Sequence, residues 1–197
     1  SYATLLKNLF NGGDIKTFFE KADELLAPID DASRVMRYVY NHDVASSNTL
    51  TSLYGGADAL PAAYALTAML NGTPLVYSSM ETNLSSGGTL SFFNYNPLTW
   101  NSDKADVYAT INDAYTATAE VRGGELLTYS TGDVVTFARV NGSHSMLVMV
   151  NPTGDGVTVK VPMAYSGTEM RDMLTKTDVE LPMTIDLAGY EYAIYYK

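Results

Sequence analysis

The sequence is first notable for what it has none or little of. There is no cysteine among its 197 residues. That excludes disulfides, cysteine-based zinc sites and thiol nucleophiles, and it leaves the compartment open. Basic residues are few, 12 against 22 acidic ones, for a net charge of −10. A surface of that sign repels phosphate backbones and anionic membrane faces, so nucleic-acid binding is not expected. Neutral sugars are indifferent to it. No apolar run reaches the length of a membrane span. The first residues, Ser1 to Leu6, lack the basic start and long apolar core of a signal peptide. The chain does not begin with methionine, and the expectation is a piece of a longer protein. Phosphate-binding glycine loops, internal repeats and low-complexity tracts are also missing. What remains, a hydrophobic fraction of 46% with 17% charged residues, suits an ordinary globular chain.

The periodicity of the first part is helical. Leu5, Leu6, Leu9 and Phe10 share one face, and Gly12-Gly13 stops the segment. Asp14 is a suitable N-cap for a second helix, with Ile15, Phe18, Phe19, Ala22, Leu25 and Leu26 inward and Pro28 at its end. The stretch 35–40 has the β-branched and aromatic character of a strand and runs into Asn41-His42-Asp43. In parallel α/β folds that C-terminal end is where chemistry is done. On three residues alone, a plain polar turn outweighs the catalytic reading. Arg37 in mid-strand has no evident partner and can be buried only if paired. Val44 to Gly56 reads as a loop. An Ala-rich helix follows from Asp58 to Leu70, with Pro61 in its first turn and Asn71-Gly72 as its stop. Leu75-Val76-Tyr77 is short and apolar on both sides, as buried parallel strands are.

Two stretches in this order, Asn41-His42-Asp43 after a strand and Gly72-Thr73-Pro74-Leu75-Val76-Tyr77 leading to Glu81, resemble the α-amylase family of glycoside hydrolases. There the seventh barrel strand ends in Asn-His-Asp and the eighth carries Gly-x-Pro-x-x-Tyr-x-Gly-x-Glu. The resemblance implies that Asp43 is the catalytic carboxylate that stabilises the transition state. It implies that His42 and Asn41 are substrate-binding, Asn41 by helping to fix the geometry of the strand tip. Glu81 matches a glutamate that is usually structural or at the cleft rim. The family's nucleophile and general acid stand on earlier strands, so neither role falls on a residue of this chain. Two positions depart from the pattern. Ser46 stands where arginine is common, and Ser79 replaces a glycine.

The loop 84–101 carries Phe92, Phe93, Tyr95 and Trp100. Packing is the better reading for the phenylalanines, and packing or sugar stacking for Trp100. A last helix is expected from Lys104 to Arg122, capped by Gly123-Gly124. Beyond it the period alternates, with strands expected at 126–129, 134–140, 145–150, 157–161, 169–173, 184–187 and 192–196. Asp155 and His144 read as turn and hairpin residues; one carboxylate is a poor cage for calcium.

The expected architecture is α/β plus all-β. Residues 1–123 form the C-terminal portion of a TIM (β/α)8 barrel and residues 124–197 an antiparallel β-sandwich domain. The implied function is that of the C-terminal part of a retaining hydrolase of α-glucans, starch or maltooligosaccharides. Such a piece is expected to be inactive alone and to self-associate through exposed barrel edges. No cofactor is called for in this chain, and the resemblance leaves calcium to the parent enzyme. A polysaccharide-acting parent favours a secreted, periplasmic or cell-surface location. Two other readings stay open: a non-catalytic carbohydrate-binding or scaffold protein of the same shape, and an unrelated α+β protein with chance motifs.

Overall fold

A computed structural model describes residues 1–56, 58–77, 80–82 and 104–197. Helix α1 (Tyr2–Phe10) buries Leu6, Leu9 and Phe10. Helix α2 (Ile15–Leu26) buries Phe18, Phe19 and Ala22, and the Asp14 carboxylate caps it by accepting the Thr17 N–H at 2.7 Å. Strand β1 (Met36–Tyr38) is short, since Val39 and Tyr40 leave the ladder. The stretch expected as a loop holds two helical turns, α3 (His42–Ala45) and α4 (Leu50–Leu53). Helix α5 (Ala59–Leu70) has every residue buried. Apolar on all sides, it belongs in the middle of a core.

Strand β2 (Thr73–Leu75) runs parallel to β1, with Met36 opposite Thr73 and Tyr38 opposite Leu75. It lies two residues earlier than the apolar run 75–77 suggests. The reason is the joint before it: Gly72, at φ +101°, turns the chain so sharply that the Thr73 N–H already donates to the Val35 carbonyl. Helix α6 (Ala105–Ala117) stops well short of Arg122. Near its end the Thr116 and Thr118 hydroxyls bond back to the carbonyls of Asn112 and Ala114, and the chain continues in turns to Gly124.

The rest is antiparallel. Strands β3 (Glu125–Ser130), β4 (Val135–Asn141), β5 (His144–Val150), β6 (Val157–Lys160), β7 (Glu169–Asp172), β8 (Thr177–Glu180), β9 (Thr184–Leu187) and β10 (Tyr192–Tyr196) make two sheets. One has the order β3-β4-β5-β10-β7-β8, the other pairs β6 with β9. Strand β8 is the one absent from the expectations. Its sequence, Thr-Asp-Val-Glu, is polar because it is an exposed edge.

Two cores result. Val134, Ala138, Leu147, Met149, Ala193 and Tyr195 of the large sheet's region pack with Val159 and Leu187 of the small one and with Val161 just beyond it. Phe137, Met146, Val148, Val150 and Ile194 join the helices instead, in a core built around α5. The large sheet is therefore covered on both faces at β4, β5 and β10. Arg139 ties sheet to helix: its Nε donates to the Leu70 carbonyl at 2.6 Å, its Nη2 to the same oxygen, and its Nη1 to Gly124 O at 3.1 Å. A cation at the C-terminal end of α5 also suits the helix dipole.

Candidate active site

The parallel pair places the ends of β1 and β2 on one side. Beyond β1 the chain stays buried for two residues. Tyr54 donates to the Val39 carbonyl at 2.6 Å, and the Tyr40 hydroxyl donates to Asn48 O at 3.2 Å. Tyr40 meets Tyr77, just past β2, edge-on at 5.9 Å. Burial, with Tyr77 alongside, pushes the Tyr40 hydroxyl up to about 12. These contacts hold the two strand ends together.

Asn41, His42 and Asp43 follow, and they open a helical turn rather than a loose loop. Asn41 is extended and buried, and its Oδ1 accepts the Val44 N–H at 3.0 Å. It is an N-cap, so its side chain shapes the turn. His42 and Asp43 are then presented outward, with His42 Nε2 3.4 Å from Asp43 Oδ1 and side-chain exposures of 50% and 78%. Ser46, in the position where arginine is common in the resembled family, donates to the Asp43 carbonyl at 2.7 Å and closes the turn. A half-exposed imidazole beside an exposed carboxylate can bind neighbouring sugar hydroxyls, the carboxylate as acceptor and the ring as donor or acceptor.

Glu81 sits in the 3-10 turn Met80–Thr82, with one carboxylate oxygen buried and unpartnered among the described residues. Ser79 and the aromatic loop with Phe92, Phe93, Tyr95 and Trp100 lie outside the described residues. Among the described residues, no cluster of His, Asp and Glu is arranged to hold a metal ion. Arg37, unexplained from the sequence, lies under the Tyr2 ring, its guanidinium carbon 4.8 Å from the ring centroid. No local signal points to a partner so far away in the chain. A groove of about 920 Å³ lies elsewhere, between α1–α2 and the β3–β4 hairpin, and none of Asn41, His42 and Asp43 lines it. The triplet's claim to chemistry thus rests on its place at the strand ends rather than on an enclosed pocket.

Solved structures share the fold of this chain. A cyclomaltodextrin glucanotransferase, CldA, described as having a three-domain ABC distribution, matches over 100% of this chain and 43% of its own, with a TM-score of 0.77 at 18% identity. An α-amylase from Geobacillus thermoleovorans, solved with acarbose, matches over 99% of this chain and 46% of its own, with a TM-score of 0.75 at 14% identity. The chain has the fold of the α-amylases. A cyclic α-maltosyl-(1→6)-maltose hydrolase from Arthrobacter globiformis extends the likeness, with a TM-score of 0.69 at 21% identity over 100% of this chain and 43% of its own. At these identities the likeness is one of fold. The chain spans less than half the length of these amylase-fold enzymes. No protein-family model matches the sequence, and no curated protein does.

Proposed function

We propose that this chain is the C-terminal part of an α-amylase-like glycoside hydrolase acting on α-glucans by a retaining mechanism. In this reading residues 1–123 are the last units of a (β/α)8 barrel, with β1 and β2 as its final two strands. Residues 124–197 are the C-terminal β-sandwich domain. One observation carries the reading. Asn41-His42-Asp43 lies just past the end of a parallel strand pair, in a chain whose whole length follows the fold of glucan-acting enzymes.

Retaining hydrolysis needs a nucleophilic carboxylate and a proton-donating carboxylic acid about 5–5.5 Å apart across the glycosidic bond. Both belong to barrel strands outside this chain. Asp43 supplies a third carboxylate, accepting hydroxyl hydrogen bonds that strengthen as positive charge develops on the ring. His42 binds hydroxyls in the same subsite, and Asn41 fixes the turn that presents both.

Reducing-sugar release from soluble starch tests this. The 197-residue chain alone should release none, because Asp43 cannot replace covalent and proton-transfer catalysis. Supplied with the preceding barrel units, it should turn over substrate, and Asp43→Asn should greatly lower that turnover. Turnover of about 1–1,000 per second by the chain alone would overturn the assignment of nucleophile and acid. A reconstituted barrel that binds α-glucan without cleaving it would make the protein a carbohydrate-binding one.

A further inference from the structure

Where α2, the end of α5 and the large sheet meet, two arginines are buried together. Arg37 is 4% exposed and Arg139 7%. Among the described residues neither lies within ion-pair distance of a carboxylate. Arg139 is accounted for by its bonds to Leu70 O and Gly124 O. Arg37 is not: its Nη1 is buried with no hydrogen-bond partner. Leaving a charged donor unsatisfied in a core is expensive. Both arginines line a cavity of about 10 Å³, together with Phe19, Ala22, Asp23 and apolar groups of Leu26, Leu70 and Leu126.

That volume holds about one small body. The side-chain polar groups around it are chiefly donors, so the occupant must accept hydrogen bonds. Asp23 faces both guanidinium groups from the rim and offsets one of the two charges. One positive charge remains without a counter-charge. Asp23, Phe19 and Leu126 also line the large groove, which connects this corner to solvent.

We propose that this corner is an anion site, in which Arg37 Nη1 and the Arg139 charge hold one small monovalent anion of halide size. Guanidinium groups suit the task because they stay charged when buried and carry several donors in a fixed fork. The Arg139 charge is already strained by its surroundings, with burial first and then Arg37 holding its ionisation down to about 10. An anion between them relieves that repulsion. The site is separate from Asn41-His42-Asp43 and stands whether or not the chain belongs to a glucan hydrolase.

Thermal unfolding of the 197-residue chain tests it, at fixed ionic strength, with sodium gluconate replaced stepwise by sodium bromide. A ligand that binds only the folded state raises Tm with the logarithm of its concentration. The expected shift is about 5–10 °C at a bromide concentration a hundred times Kd. Arg37→Met should abolish it. An unchanged Tm overturns the site, and so does a rise that Arg37→Met retains, which would be a general salt effect. Should Arg37→Met fail to fold, anomalous scattering from bromide-soaked crystals of the unmodified chain decides. A peak beside Arg37 Nη1 supports the site, and its absence at saturating bromide assigns the cavity to water.

Discussion

A Cβ built on Gly72 would lie 2.5 Å from the Val35 carbonyl oxygen, and its φ of +101° is one that side chains rarely adopt. The obstacle is backbone of β1, which cannot swing aside without losing the bond from the Thr73 N–H to the same oxygen. Gly72→Ala should therefore destabilise the fold by about 2 kcal/mol or more, read as a lower midpoint in urea unfolding. Asp43 makes the opposite demand. Its side chain is 78% exposed and pairs with a half-exposed histidine, so folding gains little from it. If the proposed function holds, Asp43→Asn in the chain completed by the preceding barrel units should lower turnover on α-glucans about a hundredfold or more, by analogy with losing one transition-state contact, while Tm stays nearly unchanged. Full activity in that variant would remove Asp43 from the mechanism.

At the scale of the element, α5 is the test of packing. Leu66 is fully buried on a helix that has no solvent face. Leu66→Ala should cost about 2–5 kcal/mol, measured by urea unfolding, because surrounding elements close in from every side. Elements like α2 were legible from their residues: one apolar face, an Asp14 cap and a closing Pro28. Strands β9 and β10 fall at the residues where alternation puts them. Strand β8 was illegible because an edge strand buries little, and Thr-Asp-Val-Glu has no apolar period to read. The extent of β2 was illegible for another reason, since Gly72 and the register against β1 decide it rather than the apolar run 75–77. For the candidate site, residue types were legible and geometry was not. Asn41 as a cap makes a turn that the triplet's composition alone does not announce. The Arg37–Tyr2 contact is tertiary, and nothing near Arg37 in the chain encodes it.

For the whole molecule, buried tyrosines set the response to alkali. Burial raises Tyr40, Tyr64 and Tyr192 each to about 12, from the ordinary tyrosine value of 10.0. Tyr64 also donates to Asn112 at 2.7 Å. In the unfolded chain these hydroxyls ionise first, so above pH 10 the unfolded state binds fewer protons than the folded one. Their contribution is whole below pH 10 and is lost as pH rises from 10 towards 12. Tyrosinate absorbance followed alongside circular dichroism should show a late group of tyrosines ionising together with the loss of structure. Independent ionisation at ordinary values, with structure intact, would contradict it. The large sheet matters at this scale too. Its central strands β4, β5 and β10 have no face to spare, because one side belongs to the small sheet and the other to the helices. The chain is thus not modular in the way a linker-joined pair is. Residues 124–197 could not be transplanted onto a different set of helices as a ready-made part. The recipient's helices would have to offer relief matched to Phe137, Met146, Val148, Val150 and Ile194, so the two halves must change together or not at all.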